Sequence, residues 1–321
     1  MLLWIVTVVF ALALLVWGAD RFVVGAAATA RNLGVSPLII GLTVVGIGTS
    51  APEILVSITA SLQGNPALAV GNAVGSNIAN VGLVLGTAAL IGPLAVSSGT
   101  LKREFPIMFM VMALAFVLLL DYRLDTFDGI VLLLGLVALM GTMVVVALKA
   151  RRGDRLATEY EHEIPGAMSN ARALLWIAVG LVVLLASARA IVWGSVNIAR
   201  ALEVSDLLIG LTIVAVGTSL PELAASVVSV LKKESDIAIG NVIGSNMFNL
   251  LPVLAVPGIL APGEIPAIVV YRDYVIMFGL SAVLFALAVG VSGPRAVQRS
   301  EGALLLFGFF AYQAFLYVSA N

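Results

Sequence analysis

The chain has no cysteine, a single histidine (His162) and little charge: Asp, Glu, Lys and Arg make up 11% of its 321 residues. Each scarcity closes a class of function. Without cysteine there is no disulfide, no iron–sulfur cluster and no thiol nucleophile. One histidine and no thiolate exclude the usual zinc and copper centres. A formal net charge of −1 gives nucleic acid no electrostatic foothold. What is plentiful is apolar surface: 61% of residues are hydrophobic and mean hydropathy is +1.13. That composition belongs to a polytopic membrane protein in a lipid bilayer.

A span needs about 20 mostly apolar residues. Ten such stretches are expected, at 2–30, 36–62, 68–92, 105–121, 127–149, 173–200, 206–231, 236–260, 273–291 and 302–319. The first lacks a basic flank and is too long for a signal peptide, so it is expected to be a retained helix. The longest polar stretch, 150–171, joins the fifth and sixth spans as a cytoplasmic linker between an N-terminal unit (1–149) and a C-terminal unit (172–321). With the N-terminus outside, the inside loops hold 12 of the 17 basic residues: Arg31, Lys102, Arg103, Lys149, Arg151, Arg152, Arg155, Arg172, Lys232, Lys233, Arg295 and Arg299. Outside loops hold only Arg123, Arg200 and Arg272. This bias predicts both termini outside.

The chain repeats itself. "GLTVVGIGTSAPE" (41–53) and "GLTIVAVGTSLPE" (210–222) share nine of 13 residues; "GNAVGSNIAN" (71–80) and "GNVIGSNMFN" (240–249) share six of ten. Both pairs are offset by 169 residues, as are Gly25 and Gly194, Arg31 and Arg200, and Arg103-Glu104 and Arg272-Asp273. Each copy holds five spans. Five is odd, so the second copy enters the membrane from the opposite face. The expected fold is all-α and membrane-integral, with ten helices in two inverted five-helix repeats and helices 2 and 7 broken. In secondary transporters with this design, substrate binds near mid-membrane at interrupted helices.

Most of the acidic residues lie in loops or at helix ends, but Glu53 and Glu222 lie deep within spans two and seven. An ionisable residue there is a functional hypothesis by default, and recurrence at one position of both repeats argues against an inert accident. Gly46, Gly48 and Pro52 weaken the helix beside Glu53, freeing carbonyl oxygens that must find a partner. Ser50-x-x-Glu53 and Ser219-x-x-Glu222 match a capping-box restart, with Thr49 and Thr218 beside the same breaks. Ser76 and Asn80 share one helical face, as do Ser245 and Asn249. Alone, these four residues read as polar packing between helices; beside two buried glutamates they read as ligands. The donor set is all oxygen, which suits Ca²⁺ or Na⁺.

These paired motifs resemble the α-repeats of the sodium/calcium exchanger family, in its short prokaryotic form. The resemblance implies an inverted 5+5 fold in a prokaryotic inner membrane, no cofactor, and Ca²⁺ and Na⁺ as transported ions held between helices 2, 3, 7 and 8. Carried over by position, Glu53 and Glu222 would bridge the central Ca²⁺ with the carbonyls of Thr49 and Thr218. Ser50, Ser76, Ser219 and Ser245 would help hold Na⁺ with the carbonyls of Gly46 and Ala215. Asn80 and Asn249 would complete the central ring, and helices 1 and 6 would slide past the core. A monomer is compatible with this scheme. Several well-known exchangers have aspartate where this chain has Asn249. Two carboxylates balance one Ca²⁺ or two Na⁺, so a third Na⁺ is expected to bind weakly or not at all.

Three alternatives are separable. Ca²⁺/H⁺ exchange would use the same glutamates as proton carriers. A passive channel would conduct without a counter-ion, which central carboxylates suit poorly. An intramembrane enzyme would need a base beside a nucleophile or a metal, and no span contains histidine or a pair of aspartates.

Overall fold

The computed structural model describes residues 1–97, 99–153, 168–202, 215–290 and 296–320. Among these, seven helices are long and apolar enough to cross a membrane: α1 (Leu2–Leu33), α4 (Pro66–Ile91), α6 (Thr126–Gly153, apolar to Leu148), α7 (Asn170–Ala201), α10 (Ser235–Leu260), α11 (Val269–Val289) and α12 (Arg299–Ala320, apolar to Val318). The pair α2 (Pro37–Thr49) and α3 (Ala51–Leu62) makes an eighth span, bent by 41°. Three shorter helices complete the set. α5 (Phe105–Leu118) is entered through a π turn at Thr100–Glu104. A four-residue helix, α8 (Ala215–Thr218), is followed by α9 (Leu220–Leu231).

Most of the expected linker, with Arg155 and His162, lies outside the described residues; so do the start of the expected seventh span (206–214), Arg295 and Asn321. Two boundaries differ from expectation for local reasons. α1 continues to Leu33, where Gly34 takes the left-handed conformation (φ 62°) that ends a helix. α11 starts at Val269 through a π turn and ends at Gly290, also left-handed. The expectation of helices alone also misses four two-residue strands. Leu94–Ala95 pairs antiparallel with Ala296–Val297, and Arg123–Leu124 with Gly263–Glu264. Strands this short carry no readable alternation.

Two helices form the centre and two the outer wall. The apolar windows of α4 and α10 are 78% and 83% buried, against 22% and 28% for α1 and α7. α2 and α10 meet backbone to backbone: a Cβ added to Gly240 would lie 2.6 Å from the Leu38 carbonyl oxygen, and one on Gly41 2.7 Å from that of Ile237. Small residues permit this approach, which dispersion then rewards. α1 and α7 run antiparallel, since Trp4 and Val8 neighbour Gly194 while Gly25 neighbours Ala173 and Ile177. Trp17 and Trp176 meet edge to face at 6.2 Å on this seam.

Candidate cation site

The local sequence explains the bend between α2 and α3. Pro52 has no amide hydrogen, so the carbonyl four residues back loses its donor. Ser50 stands at the junction with φ −79° and ψ 6°. Ser219 repeats this in the second copy, at φ −88° and ψ 4°, ahead of Pro221. The helix restarts as expected, but the capping box does not form: neither serine side chain caps its helix. The backbone ladder continues across the bend instead, with the Ser50 amide donating to Gly46 O and the Ile54 amide to Ser50 O. The serine hydroxyls are left over.

The breaks face the middle turns of α4 and α10. Glu53 and Glu222 are each 1% exposed, and close enough for their charges to act on each other. The Ser76 hydroxyl donates to Glu53 Oε1 at 3.5 Å. The Thr49 hydroxyl reaches Val45 O, Asn241 Oδ1 at 3.0 Å and Ser245 Oγ at 3.4 Å. Ser245 Oγ also donates to Gly46 O at 3.4 Å. π turns start at Asn80 and at Asn249, turning both side chains out of the regular helical register.

Four residues not assigned by sequence reasoning brace this cluster. Asn249 donates to Asn77 Oδ1 at 3.0 Å, and Asn80 to Asn246 Oδ1 at 3.2 Å. Asn72 donates to Glu53 O and Asn241 to Glu222 O. These residues too are spaced by 169 and lie inside the repeated motifs, which is the signal that singles them out. Ser57 supports the same region: Pro257 leaves Val253 O without its helical donor, and the Ser57 hydroxyl supplies one at 2.7 Å.

Six side-chain oxygens here are buried without any hydrogen-bond partner: Ser50 Oγ, Ser219 Oγ, Glu53 Oε2, Glu222 Oε2, Asn80 Oδ1 and Asn249 Oδ1. They form three pairs, each 169 apart. A buried acceptor without a donor is costly, and six in one cluster would be a severe defect unless something else satisfies them. A bare cation does so, and hard oxygen donors without nitrogen or sulfur select Ca²⁺ or Na⁺ over zinc or copper. Among the described residues no three of His, Cys, Asp or Glu stand together, so the charge of this cluster rests on two carboxylates. Thr218, unlike the fully buried Thr49, borders a cavity of about 570 Å³ that reaches the breaks. Ala215 begins the short helix before Ser219.

A helical membrane protein with broken helices around buried, unsatisfied oxygens is of the secondary-transporter class. The family model described as sodium/calcium exchanger protein matches residues 3–145 and 172–318. A putative antiporter, CaxA of Alkalimonas amylolytica, is 48% identical over 99% of this chain and 100% of its own. Inner membrane protein YrbG of Escherichia coli K12 is 42% identical over 99% of this chain and 98% of its own. Solved structures of the sodium-calcium exchanger NCX_Mj, one soaked with Na⁺ and Sr²⁺, superpose with a TM-score of 0.82 at 32% identity, over 98% of both chains. The chain belongs to the sodium/calcium exchanger family. It is a multi-pass membrane antiporter of the cation/Ca²⁺ class, and its family and structural neighbours are transporters rather than enzymes.

Proposed function

We propose that the chain exchanges Na⁺ for Ca²⁺ by alternating access, with the ions bound between the two helix breaks and the middle turns of α4 and α10. The observation that carries this reading is the set of six orphaned oxygens in three repeat-related pairs. Glu53 and Glu222 bridge Ca²⁺, aided by the Thr49 and Thr218 carbonyls. Asn80 and Asn249 turn their amide oxygens inward because Asn246 and Asn77 hold their amide nitrogens. Ser50, Ser76, Ser219 and Ser245, with the carbonyls of Gly46 and Ala215, serve Na⁺. Two carboxylates neutralise one Ca²⁺ or two Na⁺, and the proposed ratio is therefore below three Na⁺ per Ca²⁺.

The architecture proposed with it has ten spans in two inverted units, 1–149 and 172–321, with both termini outside and 150–171 on the cytoplasmic side. α1 and α7 move against the core as access alternates. One observation favours a second reading, Ca²⁺/H⁺ exchange: the free Oε2 atoms of Glu53 and Glu222 have no protein donor, so each can take a proton. Proteoliposomes separate the two. A Na⁺ gradient alone is expected to drive ⁴⁵Ca²⁺ uptake, and a proton gradient alone to leave it at background. The reverse pattern would replace Na⁺ by H⁺ in the scheme.

A further inference from the structure

A charged patch apart from the cation cluster lies on the outer seam of α1 and α7. Trp17 and Arg21 stand one turn apart on α1, and Arg172 and Trp176 one turn apart on α7. Residues four apart share a helical face. Antiparallel packing brings the two faces together: the Arg21 guanidinium sits over the Trp176 ring at 4.9 Å and over that of Trp17 at 5.8 Å. Towards the start of α7, the Asn32 side-chain amide donates to Met168 O at 2.8 Å and to Asn170 Oδ1 at 2.7 Å, which fixes that end of α7 against α1. The patch reaches the surface: the Arg21 side chain is 38% exposed, and Trp17 and Arg172 are exposed.

The charges of this patch do not cancel. Arg31 and Glu234, 3.6 Å apart, neutralise each other. Asp20 serves two cations at once: Oδ1 lies 2.7 Å from Lys232 Nζ, and Oδ2 lies 3.7 Å from Arg21 Nε. The second distance is too long for a hydrogen bond, and among the described residues Arg21 Nε is buried without a hydrogen-bond partner. One carboxylate thus faces two cations, and Arg172 adds a third. The tryptophan rings attract the Arg21 cation but offer it no acceptor oxygen. A phosphate does, and pairs with the guanidinium fork through two parallel bonds.

We infer that Arg21 and Arg172, flanked by Trp17 and Trp176, bind the headgroup phosphate of an anionic phospholipid. Basic pockets between membrane helices take such headgroups, and tryptophan rings settle at headgroup depth. The patch is continuous with lipid-facing wall: Val16, Leu174 and Leu175 beside it are all more than half exposed and offer the acyl chains apolar surface. Charge and wall together fit a lipid, which carries both parts in one molecule. The basic-residue bias places this end in the cytoplasmic leaflet, a placement that rests on the orientation proposed above, whereas the site itself does not. A lipid bound there bridges α1 and α7, the two helices that the alternating-access reading sets in motion.

Two of the four tryptophans are the natural reporters. With Trp4→Phe and Trp193→Phe, fluorescence comes from Trp17 and Trp176 alone. The full chain is placed in phosphatidylcholine vesicles carrying a minor share of either brominated phosphatidylglycerol or brominated phosphatidylcholine, and quenching is compared. The relative association constant is expected to favour phosphatidylglycerol by about tenfold, the size expected of two basic residues at a screened membrane surface. Arg21→Gln and Arg172→Gln are each expected to lower that preference by at least about threefold. Arg21→Lys, which keeps the charge, is expected to retain most of it, and Arg123→Gln, in another loop, to leave it unchanged. Equal quenching by the two lipids, or a preference that survives both Arg21→Gln and Arg172→Gln, would overturn the site. Loss of the preference on adding inorganic phosphate, but not chloride at equal ionic strength, would assign the patch to a free anion and overturn the lipid. Ion transport plays no part in this readout, so failure of Na⁺ to drive Ca²⁺ uptake would defeat the functional reading and leave the lipid result standing.

Discussion

The central helices α4 and α10 and the outer helices α1 and α7 invert the pattern familiar from water-soluble proteins. The outer pair turns bare hydrocarbon outward, with Leu2, Val9, Phe10, Leu174 and Val182 all more than half exposed. The central pair buries Ser76, Asn77, Asn80, Asn241, Ser245, Asn246 and Asn249. In lipid there is no apolar drive to bring helices together, so small residues and polar contacts hold the centre. The price of that arrangement is a set of buried acceptors left without a protein donor. Stability and function therefore draw on the same residues in the centre and separate in the wall.

Substitutions can break that contrast at graded cost. The largest effect is expected from Glu53→Gln or Glu222→Gln. Removing one buried charge from its counter-ion costs about 2–5 kcal/mol, so Ca²⁺ affinity should fall by about 30-fold or more, with loss of exchange. Uptake assays on both variants check this. Next comes Gly240→Val, where the added carbons meet the Leu38 carbonyl. Overpacking of about 1–3 kcal/mol should appear as a lowered unfolding temperature in detergent. Asn77→Ala or Asn246→Ala leaves an amide of the ring unbraced and should weaken Ca²⁺ binding by about tenfold, read from the Ca²⁺ dependence of uptake. Asn249→Asp places a carboxylate oxygen against Asn77 Oδ1, where an amide now donates. Exchange should survive with a changed dependence on Na⁺, by about fivefold. Leu174→Ala on the outer wall should change neither transport nor stability measurably.

Much of the centre was legible in the sequence because the chain states it twice. Glycine and proline beside Glu53 and Glu222 predict a bent helix, and the bend is there at Ser50. The family resemblance is matched by the family model over both halves. What was not legible depends on contacts between distant segments. The capping box is a local pattern, but at the bend the ladder runs on through the Ser50 and Ile54 amides and neither serine hydroxyl caps its helix. The bracing role of Asn77 and Asn246 requires knowing that α4 and α10 cross at those turns. The π turns that aim Asn80 and Asn249 leave no mark in hydrophobic spacing. The ion pairs of α1 with Lys232 and Glu234 join residues some 200 positions apart, and no periodicity announces them.

The central claim is that the paired orphan oxygens form one cation site fed by two carboxylates. Equilibrium binding of ⁴⁵Ca²⁺ to the purified protein in detergent tests it most directly. The expected result is one Ca²⁺ per chain, displaced by Na⁺, and lost in both Glu53→Gln and Glu222→Gln. Undiminished binding in both variants would contradict it.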